Sequence, residues 1–233
     1  MTKPVLYIAN KNYSSWSLRP WALLRALEIP FEERLMRFAD GSNAAVFSAF
    51  SPTAKVPCLH AEGAVIWDSL AIVEFLAERY PGVWPTDPLA RAWARCAAAE
   101  MHAGFGVLRH DCSMTVGQRV RLRQVSPALQ ADLDRLQSLW AEGLRRFGGP
   151  YLAGPVFTAV DAFYAPVAFR VRSYGLVLNV PAAAYAGRLL AHPVLLEWEA
   201  AALAEPWREP QHEQWIAAAG EITADFRAAA SVD

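Results

Sequence analysis

The stretch Ser51-Pro52-Thr53-Ala54-Lys55-Val56-Pro57-Cys58-Leu59 places a proline directly before a short apolar run. Because proline has no backbone N–H, it fits a sheet only at an edge or at the start of a strand. The apolar run spans residues 56–60, a second one spans 64–67, and Glu62-Gly63 between them is a tight-turn pair. The stretch therefore predicts two strands joined by a tight turn.

Strand and helix signals alternate on both sides of these two strands. Upstream, the apolar patterns predict a strand, a helix, a second strand and a short helix, over residues 5–9, 17–27, 31–38 and 44–50. Downstream, Asp68-Ser69 opens a helix that Pro81-Gly82 ends. The predicted order for the first eighty residues is β-α-β-α-β-β-α.

The pattern of apolar residues changes after residue 82. Residues 82–90 contain two prolines, and beyond them the apolar positions follow helical spacing. Helices are predicted over residues 90–108, 127–146, 161–174, 192–204 and 211–230. The fold class is therefore expected to be α/β plus all-α. We expect an α/β domain over residues 1–82, a linker over 83–90 and an all-helical domain over 91–233.

The composition of the chain argues against several classes of protein. The 233 residues are 54% hydrophobic and 19% charged, with a net charge of −1, which argues against nucleic-acid binding by charge neutralisation. No run of about eighteen apolar residues is present, so no membrane span is expected. Three widely spaced cysteines form neither a disulfide framework nor a zinc motif. A cytoplasmic location without a secretory signal is the natural expectation.

Four local motifs carry a family resemblance. Ser14-Ser15-Trp16-Ser17-Leu18-Arg19 resembles the serine motif of zeta-like glutathione transferases, in which arginine follows the first serine by five residues. Residues 51–59 resemble that family's Asn-Pro-x-Gly-Lys-Val-Pro-x-Leu segment, and Asp68-Ser69 its Glu/Gln-Ser pair. Residues 158–161 resemble the buried cap of its central second-domain helix. The chain is thus similar to serine-type, zeta-like bacterial members of the glutathione S-transferase superfamily over nearly its whole length, which implies a thioredoxin-like first domain.

The resemblance implies specific roles in the first domain. Glutathione would bind there as a co-substrate, with no metal, and Ser14 (or alternatively Ser15) would donate a hydrogen bond that stabilises its thiolate. The implied glutathione-binding residues are Ser15, Lys55, Val56, Pro57, Asp68 and Ser69. Val56, before a cis bond to Pro57, would offer its backbone to the cysteinyl unit. Asp68 would hold the γ-glutamyl ammonium and Ser69 the carboxylate.

Other residues have two interpretations. His102, Phe105 and Arg109 share one face of the helix predicted over 90–108, which by resemblance lines the pocket of the second substrate, but they fit equally well as the polar edge of a packed helix. Ser15 and Ser17 lie near enough to Ser14 to compete for its role. The serine cluster also fits a helix N-cap, because serine is favoured at that position. Cys58 is expected to be a small core residue.

Three functions remain open from the sequence. The first is a glutathione transferase that joins glutathione to a small electrophile in detoxification, or that isomerises a maleyl-type compound through a transient adduct. The second is a glutathione-dependent peroxidase or thiol–disulfide reductase. The third is a non-catalytic protein that binds glutathione or another ligand. A homodimer is expected by resemblance.

Overall fold

The computed structural model describes residues 3–38 and 42–230, and its first part is an α/β domain. The elements are β1 (Val5–Ile8), α1 (Ser15–Ala26), β2 (Glu32–Leu35), α2 (Ala44–Phe47), β3 (Cys58–Ala61), β4 (Ala64–Trp67) and α3 (Ser69–Ala77). The sheet order is β2-β1-β3-β4; β1 is parallel to β2 and antiparallel to β3, which is antiparallel to β4. The predicted element order and fold class are confirmed.

Local chemistry explains the edges of this domain. Glu62 and Gly63 both have positive φ, 53° and 80°, which gives the two-residue turn between β3 and β4. Asp68 precedes α3, and its carboxylate accepts the backbone N–H of Leu70 at 2.8 Å. The peptide bond between Val56 and Pro57 is cis, as the resemblance implied.

The second part is mainly helical. Its elements are α4 (Pro88–Ala103), α5 (Gly106–Asp111), β5 (Gln118–Leu122), α6 (Pro127–Phe147), α7 (Ala159–Ser173), α8 (Val180–Leu190), α9 (Pro193–Ala204), α10 (Pro210–Ala219) and β6 (Gly220–Asp225). The apolar pattern of the sequence did not predict α8 or the ribbon of β5 and β6. In the part of the chain that the structure describes, no helix has the length and apolar character needed to cross a membrane.

Helix α7 is the centre of this second part. It packs against α1, α4 and α8, and nearly all its side chains are buried. At its start Asp161 accepts the backbone N–H of Thr158 at 2.9 Å and the hydroxyl of Tyr185 at 2.7 Å. One hydrophobic cluster runs through both parts of the chain. The domain boundary placed at residues 83–90 stays a prediction; residues 78–87 connect α3 to α4.

The helix predicted over 90–108 is wrong near its end, where the structure has two helices with a break at residues 104–105. Helix α4 ends at Ala103, and Phe105 has a left-handed φ of 52° before α5 begins. A side chain at Gly104 would lie 2.8 Å from the carbonyl oxygen of Glu100, so glycine lets the chain leave the helix there. His102, Phe105 and Arg109 therefore do not share one helix.

The helix predicted over 211–230 is also wrong in its second half. Helix α10 ends at Ala219 and β6 pairs with β5, with Gly220 opposite Leu122. A Cβ on Gly220 would lie 2.2 Å from the carbonyl oxygen of Arg121, so only glycine allows this approach. Pairing with a strand one hundred residues away outweighed the local helical pattern.

Candidate active site

Ser14 lies at the junction of strand and helix that the sequence predicted for it. It is the last residue before α1 and is 5% exposed. Its side chain makes no capping hydrogen bond to the helix; instead its hydroxyl donates to Ser17 Oγ at 2.7 Å. The alternative interpretation of Ser14 as a side-chain N-cap is therefore not what the structure shows.

The loop before Ser14 is held by the helical part of the chain. Glu205 accepts the backbone N–H groups of Lys11 at 2.8 Å and Asn12 at 3.5 Å. The side-chain oxygen of Asn12 accepts the N–H groups of Val116 and Gly117 at 3.0 and 2.9 Å. The loop that presents Ser14 is thus fixed by contacts that span the two parts of the chain.

A cavity of about 880 Å³, here called the front cavity, opens beside Ser14. Ser14, Ser15 and Trp16 line it from the α/β domain, and side chains of α5, α7 and α10 line it from the other side. Arg109, Arg170 and the aromatic residues His212 and Trp215 belong to that second group. The cavity therefore lies between the two parts of the fold, with the Ser14 hydroxyl at its wall.

A second cavity of about 400 Å³, here called the rear cavity, adjoins the first. It contains most of the glutathione-binding residues that the resemblance implied. Its lining consists of Trp16, Thr53, Lys55, Val56, Pro57, Trp67, Asp68, Ser69 and His102. Because Trp16, Lys55 and Val56 line both cavities, a ligand extended along this wall would contact the rear cavity and reach Ser14.

Several polar groups of the rear cavity have no hydrogen-bond partner among the described residues. The Ser69 hydroxyl oxygen is buried and makes no hydrogen bond. Within the described residues, the backbone N–H and C=O of Val56 have no hydrogen-bond partner either. Buried polar groups are normally paired, so the Ser69 hydroxyl suits a ligand carboxylate. The half-buried Val56 backbone is free to pair with the peptide unit of a ligand.

The structure separates His102 from the front cavity. Its Nε2 lies 3.5 Å from Asp68 Oδ2, and its other ring nitrogen is buried without a partner. Burial lowers the His102 pKa below its usual value, and the charge of Asp68 opposes that shift. The ring therefore lies on the rear-cavity side of Trp16 and not in the front cavity.

Phe105 lies outside the lining of both cavities. It is 5% exposed, and its ring packs edge-on against Tyr164 with centroids 6.5 Å apart. Of the three residues predicted for the pocket of the second substrate, Arg109 alone lines the front cavity. The break at Gly104 explains the separation, since it turns the chain between His102 and Arg109.

Three arginines without carboxylate partners lie together beside the front cavity. The Arg19 guanidinium stacks 3.9 Å from the Trp16 ring centroid and is buried, and two of its nitrogens have no partner. Arg109 lies over the same ring at 5.1 Å, and Arg170 donates to the backbone oxygen of Cys112 at 2.8 Å. Within the described residues, none of these arginines pairs with a carboxylate.

Burial and neighbouring positive charge lower the pKa values of Arg19 and Arg170. Burial lowers the pKa of Arg19 well below its usual value, and the charges of Arg170 and Arg109 lower it further. Burial also lowers the pKa of Arg170 to about 10. Arg109 and Arg170 line the front cavity, and Arg19 is buried behind Trp16. Since neither lining arginine pairs with a carboxylate among the described residues, the site favours an anionic ligand.

Several residues of the front cavity were not predicted from the sequence. Arg170 carried a usable signal, because it is a charged residue directly flanked by the apolar residues Phe169 and Val171 in α7. His212 and Trp215 had none, since their place in the site depends on how α10 packs. There the His212 ring stacks on Tyr13 and Phe38, with centroids 5.0 and 5.1 Å away.

The cysteines do not form a reactive centre. Cys58 is buried, as expected for a core residue, and burial raises its pKa to about 11. Burial likewise raises the pKa of Cys112 to about 12. Cys96 is exposed on α4, and no cysteine lines either cavity. The thiol–disulfide alternative is therefore not favoured.

Comparisons with known proteins agree with this geometry. Residues 13–79 match the model of the glutathione S-transferase N-terminal domain, and residues 120–201 match that of the C-terminal domain. The maleylacetoacetate isomerase of Rattus norvegicus is 26% identical over 215 residues, which cover 89% of this chain and 94% of that protein. A probable maleylacetoacetate isomerase of Caenorhabditis elegans is 28% identical over 183 residues, 76% of this chain and 83% of that one.

Solved structures share the fold. A glutathione transferase homolog from Burkholderia, crystallised with bound glutathione, has a TM-score of 0.64 and 21% identity, and the match covers 86% of this chain and 98% of that one. A Tau class glutathione S-transferase from the mango Mangifera indica has a TM-score of 0.66 and 20% identity, with 94% and 99% coverage. Both parts of the described architecture therefore occur together in these structures.

Proposed function

Because the chain belongs to the glutathione S-transferase superfamily, we propose that it binds glutathione in the rear cavity and uses Ser14 to stabilise the glutathione thiolate. The observation that carries this proposal is the continuity of the two cavities at Trp16, Lys55 and Val56. Glutathione along this wall would place its γ-glutamyl end near Asp68 and Ser69 and its sulfur near Ser14.

The chemistry follows from a thiolate held at the wall of the front cavity. The glutathione thiol gives its proton to solvent, and the Ser14 hydroxyl donates a hydrogen bond to the resulting sulfur anion. In conjugation, the sulfur forms a bond to an electrophilic carbon of the second substrate. In isomerisation, it adds to a cis double bond, the carbon–carbon bond rotates, and elimination of the sulfur restores the double bond as trans.

We further propose that the second substrate is anionic, as a maleyl-type dicarboxylate is. Two observations support this assignment. The relatives from Rattus norvegicus and Caenorhabditis elegans are named maleylacetoacetate isomerase and probable maleylacetoacetate isomerase. Arg109 and Arg170 line the front cavity and pair with no carboxylate among the described residues. A charge-assisted hydrogen bond from Arg109 or Arg170 to a substrate carboxylate would orient the double bond toward the sulfur.

A homodimer in the cytoplasm is proposed as the working form. The exposed apolar side chains Val65 and Trp67 on the edge strand β4, and Leu89 at the start of α4, support an interface on this side. The three unpaired cysteines support a reducing compartment. Light scattering across a concentration series checks the dimer.

Titration calorimetry with reduced glutathione, combined with thiolate absorbance near 240 nm, tests the function. The wild type and Ser14→Ala are both expected to bind glutathione, and thiolate absorbance at neutral pH is expected only in the wild type. If Ser15→Ala loses the thiolate while Ser14→Ala keeps it, the donor is Ser15. Absence of glutathione binding by the wild type contradicts the proposed function.

A further inference from the structure

Ser17 is a buried hydroxyl directly behind Ser14. It is the third residue of α1, has no exposed surface and lines neither cavity. Its oxygen accepts the backbone N–H of Ala9 at 3.2 Å and lies 2.7 Å from Ser14 Oγ. Ser17 thus connects the end of the first strand to the hydroxyl at the cavity wall.

The contact between Ser17 and Ser14 determines where the Ser14 hydroxyl proton points. A serine hydroxyl has one proton and two acceptor lone pairs. The Ser14 proton points to Ser17 Oγ. A thiolate can receive that proton only if it leaves the Ser17 oxygen. The 2.7 Å contact survives the change if Ser17 rotates its own proton toward Ser14 Oγ, because hydroxyl protons rotate freely.

We propose that Ser17 is a positioning residue for thiolate stabilisation and that it acts through Ser14. In the bound state the Ala9 N–H donates to Ser17, the Ser17 hydroxyl donates to Ser14, and the Ser14 hydroxyl donates to sulfur. Every proton stays on its own nitrogen or oxygen, and the thiol proton leaves to solvent. This inference rests on the proposed function and adds a role for a residue that touches no ligand.

Two physical effects follow from such a chain. Each donor polarises the next, so the Ser14 hydroxyl becomes a better donor than an isolated serine, and burial strengthens the bonds further. The Ser17 contact also holds the Ser14 oxygen in one place, which limits the rotamer entropy lost when the thiolate binds. Both effects act on the thiolate form and leave the contacts to the rest of glutathione unchanged.

The test is Ser17→Ala, with the pKa of bound glutathione followed by absorbance near 240 nm across pH. We expect glutathione affinity to stay within about twofold at low pH, where the thiol is protonated. The thiolate pKa should rise and kcat/KM should fall by about threefold to tenfold, the value of one hydrogen bond. A wild-type thiolate pKa in Ser17→Ala overturns the proposal.

The control is Ser173→Ala on α7. Ser173 is also a buried helical serine, and its hydroxyl donates to the Thr115 carbonyl at 2.6 Å, outside both cavities. It should lose stability without a change in the thiolate pKa. If the two variants lose stability and activity in the same proportion, Ser17 has a merely structural role and the proposal fails.

A double-mutant cycle separates this inference from the proposed function. If Ser17 acts through Ser14, Ser14→Ala/Ser17→Ala should have the same thiolate pKa as Ser14→Ala alone. If the two substitutions shift the thiolate pKa additively, Ser17 does not act through Ser14 and the proposal is wrong. An intact thiolate in Ser14→Ala contradicts the role of Ser14 itself, whatever Ser17 does.

Should Ser17→Ala fail to fold, Ser17→Cys retains a weaker donor of similar shape. Its thiolate pKa should lie above that of the wild type. A wild-type value in a folded Ser17→Cys overturns the proposal.

Discussion

Arg109 is the residue of the front cavity that is simplest to test for substrate charge. Its guanidinium lies over Trp16 and donates to the backbone oxygen of His102, without a carboxylate partner among the described residues. In Arg109→Gln, KM for a maleyl-type dicarboxylate should rise about tenfold, the value of a charged hydrogen bond. Turnover of a neutral electrophile should change little, because it offers no carboxylate.

Steady-state kinetics with both substrates check this expectation. Arg95→Gln is the matched control, since Arg95 lies exposed on α4 and pairs with Glu74 outside the cavities. Arg95→Gln should change neither the KM for the dicarboxylate nor the KM for the neutral electrophile. Equal losses for the charged and the neutral substrate in Arg109→Gln would mean that Arg109 supports the fold instead of recognising charge.

Glu205 is a buried carboxylate that holds the loop before Ser14, and burial raises its pKa to about 7. In the unfolded chain its pKa is near 4.5. Between these values the folded protein binds more protons than the unfolded chain, so the free energy of unfolding falls as pH rises. Above pH 7 the raised pKa of Glu205 has lowered the free energy of unfolding by a total on the order of 3 kcal/mol, at about 1.4 kcal/mol per pKa unit.

Glu205→Gln should remove this dependence. Relative to the wild type, the variant's free energy of unfolding should increase as pH rises from about 4.5 to about 7, as measured by urea unfolding at several pH values. Glu197→Gln is the control, because Glu197 is exposed and pairs with Arg25. A constant difference between Glu205→Gln and the wild type across this range would show that Glu205 does not titrate there.

At the scale of elements, close packing decides where glycine is required. Gly143 lies within α6, and a Cβ there would be 2.4 Å from the Trp93 ring of α4 and 2.6 Å from the Leu152 carbonyl oxygen. Gly187 lies within α8 and a Cβ there would meet nothing within 4 Å. The same substitution should therefore have opposite effects in the two helices.

Gly187→Ala should stabilise the protein by about 0.5–1 kcal/mol, the usual helical preference for alanine. Gly143→Ala should destabilise it by about 1–3 kcal/mol, because α4 and α6 must move apart. Thermal unfolding of both variants checks the pair. Stabilisation by Gly143→Ala would show that the contact between α4 and α6 is looser than described.

At the scale of the whole molecule, the C-terminal segment closes on the loop before Ser14. Arg227 has a side chain that is 2% exposed and pairs with Glu213 and Asp225. It also donates to the Tyr13 hydroxyl at 2.8 Å, and Tyr13 donates to Glu213 at 2.7 Å. This network ties β6 and α10 to the residue next to Ser14.

Arg227→Gln should release the segment from β6 onward. Breaking a buried, paired charge typically costs about 3–5 kcal/mol, and hydrogen exchange of β6 should accelerate. Arg121→Gln is the control on the same ribbon, since Arg121 pairs with Glu221 and both are exposed; it should cost less than about 1 kcal/mol. If hydrogen exchange of β6 is equally fast in Arg227→Gln and Arg121→Gln, Arg227 does not hold this segment in place.

The sequence by itself determined the features that depend on neighbours in the chain. The turn at Glu62-Gly63, the cap at Asp68 and the order of strands and helices in the first domain follow from local backbone preferences, which act over a few residues. Most residues that line the rear cavity belong to short sequence motifs, so they could be predicted from the sequence.

Only the tertiary structure decided what surrounds Ser14. Glu205 lies 194 positions from Lys11, and Tyr13 lies 200 positions from Glu213, yet each pair is in hydrogen-bond contact. The arginine cluster joins α1, α5 and α7 in the same way. Packing of distant elements sets these contacts and also overrode the helical pattern at β6, because burial and strand pairing outweigh local propensity.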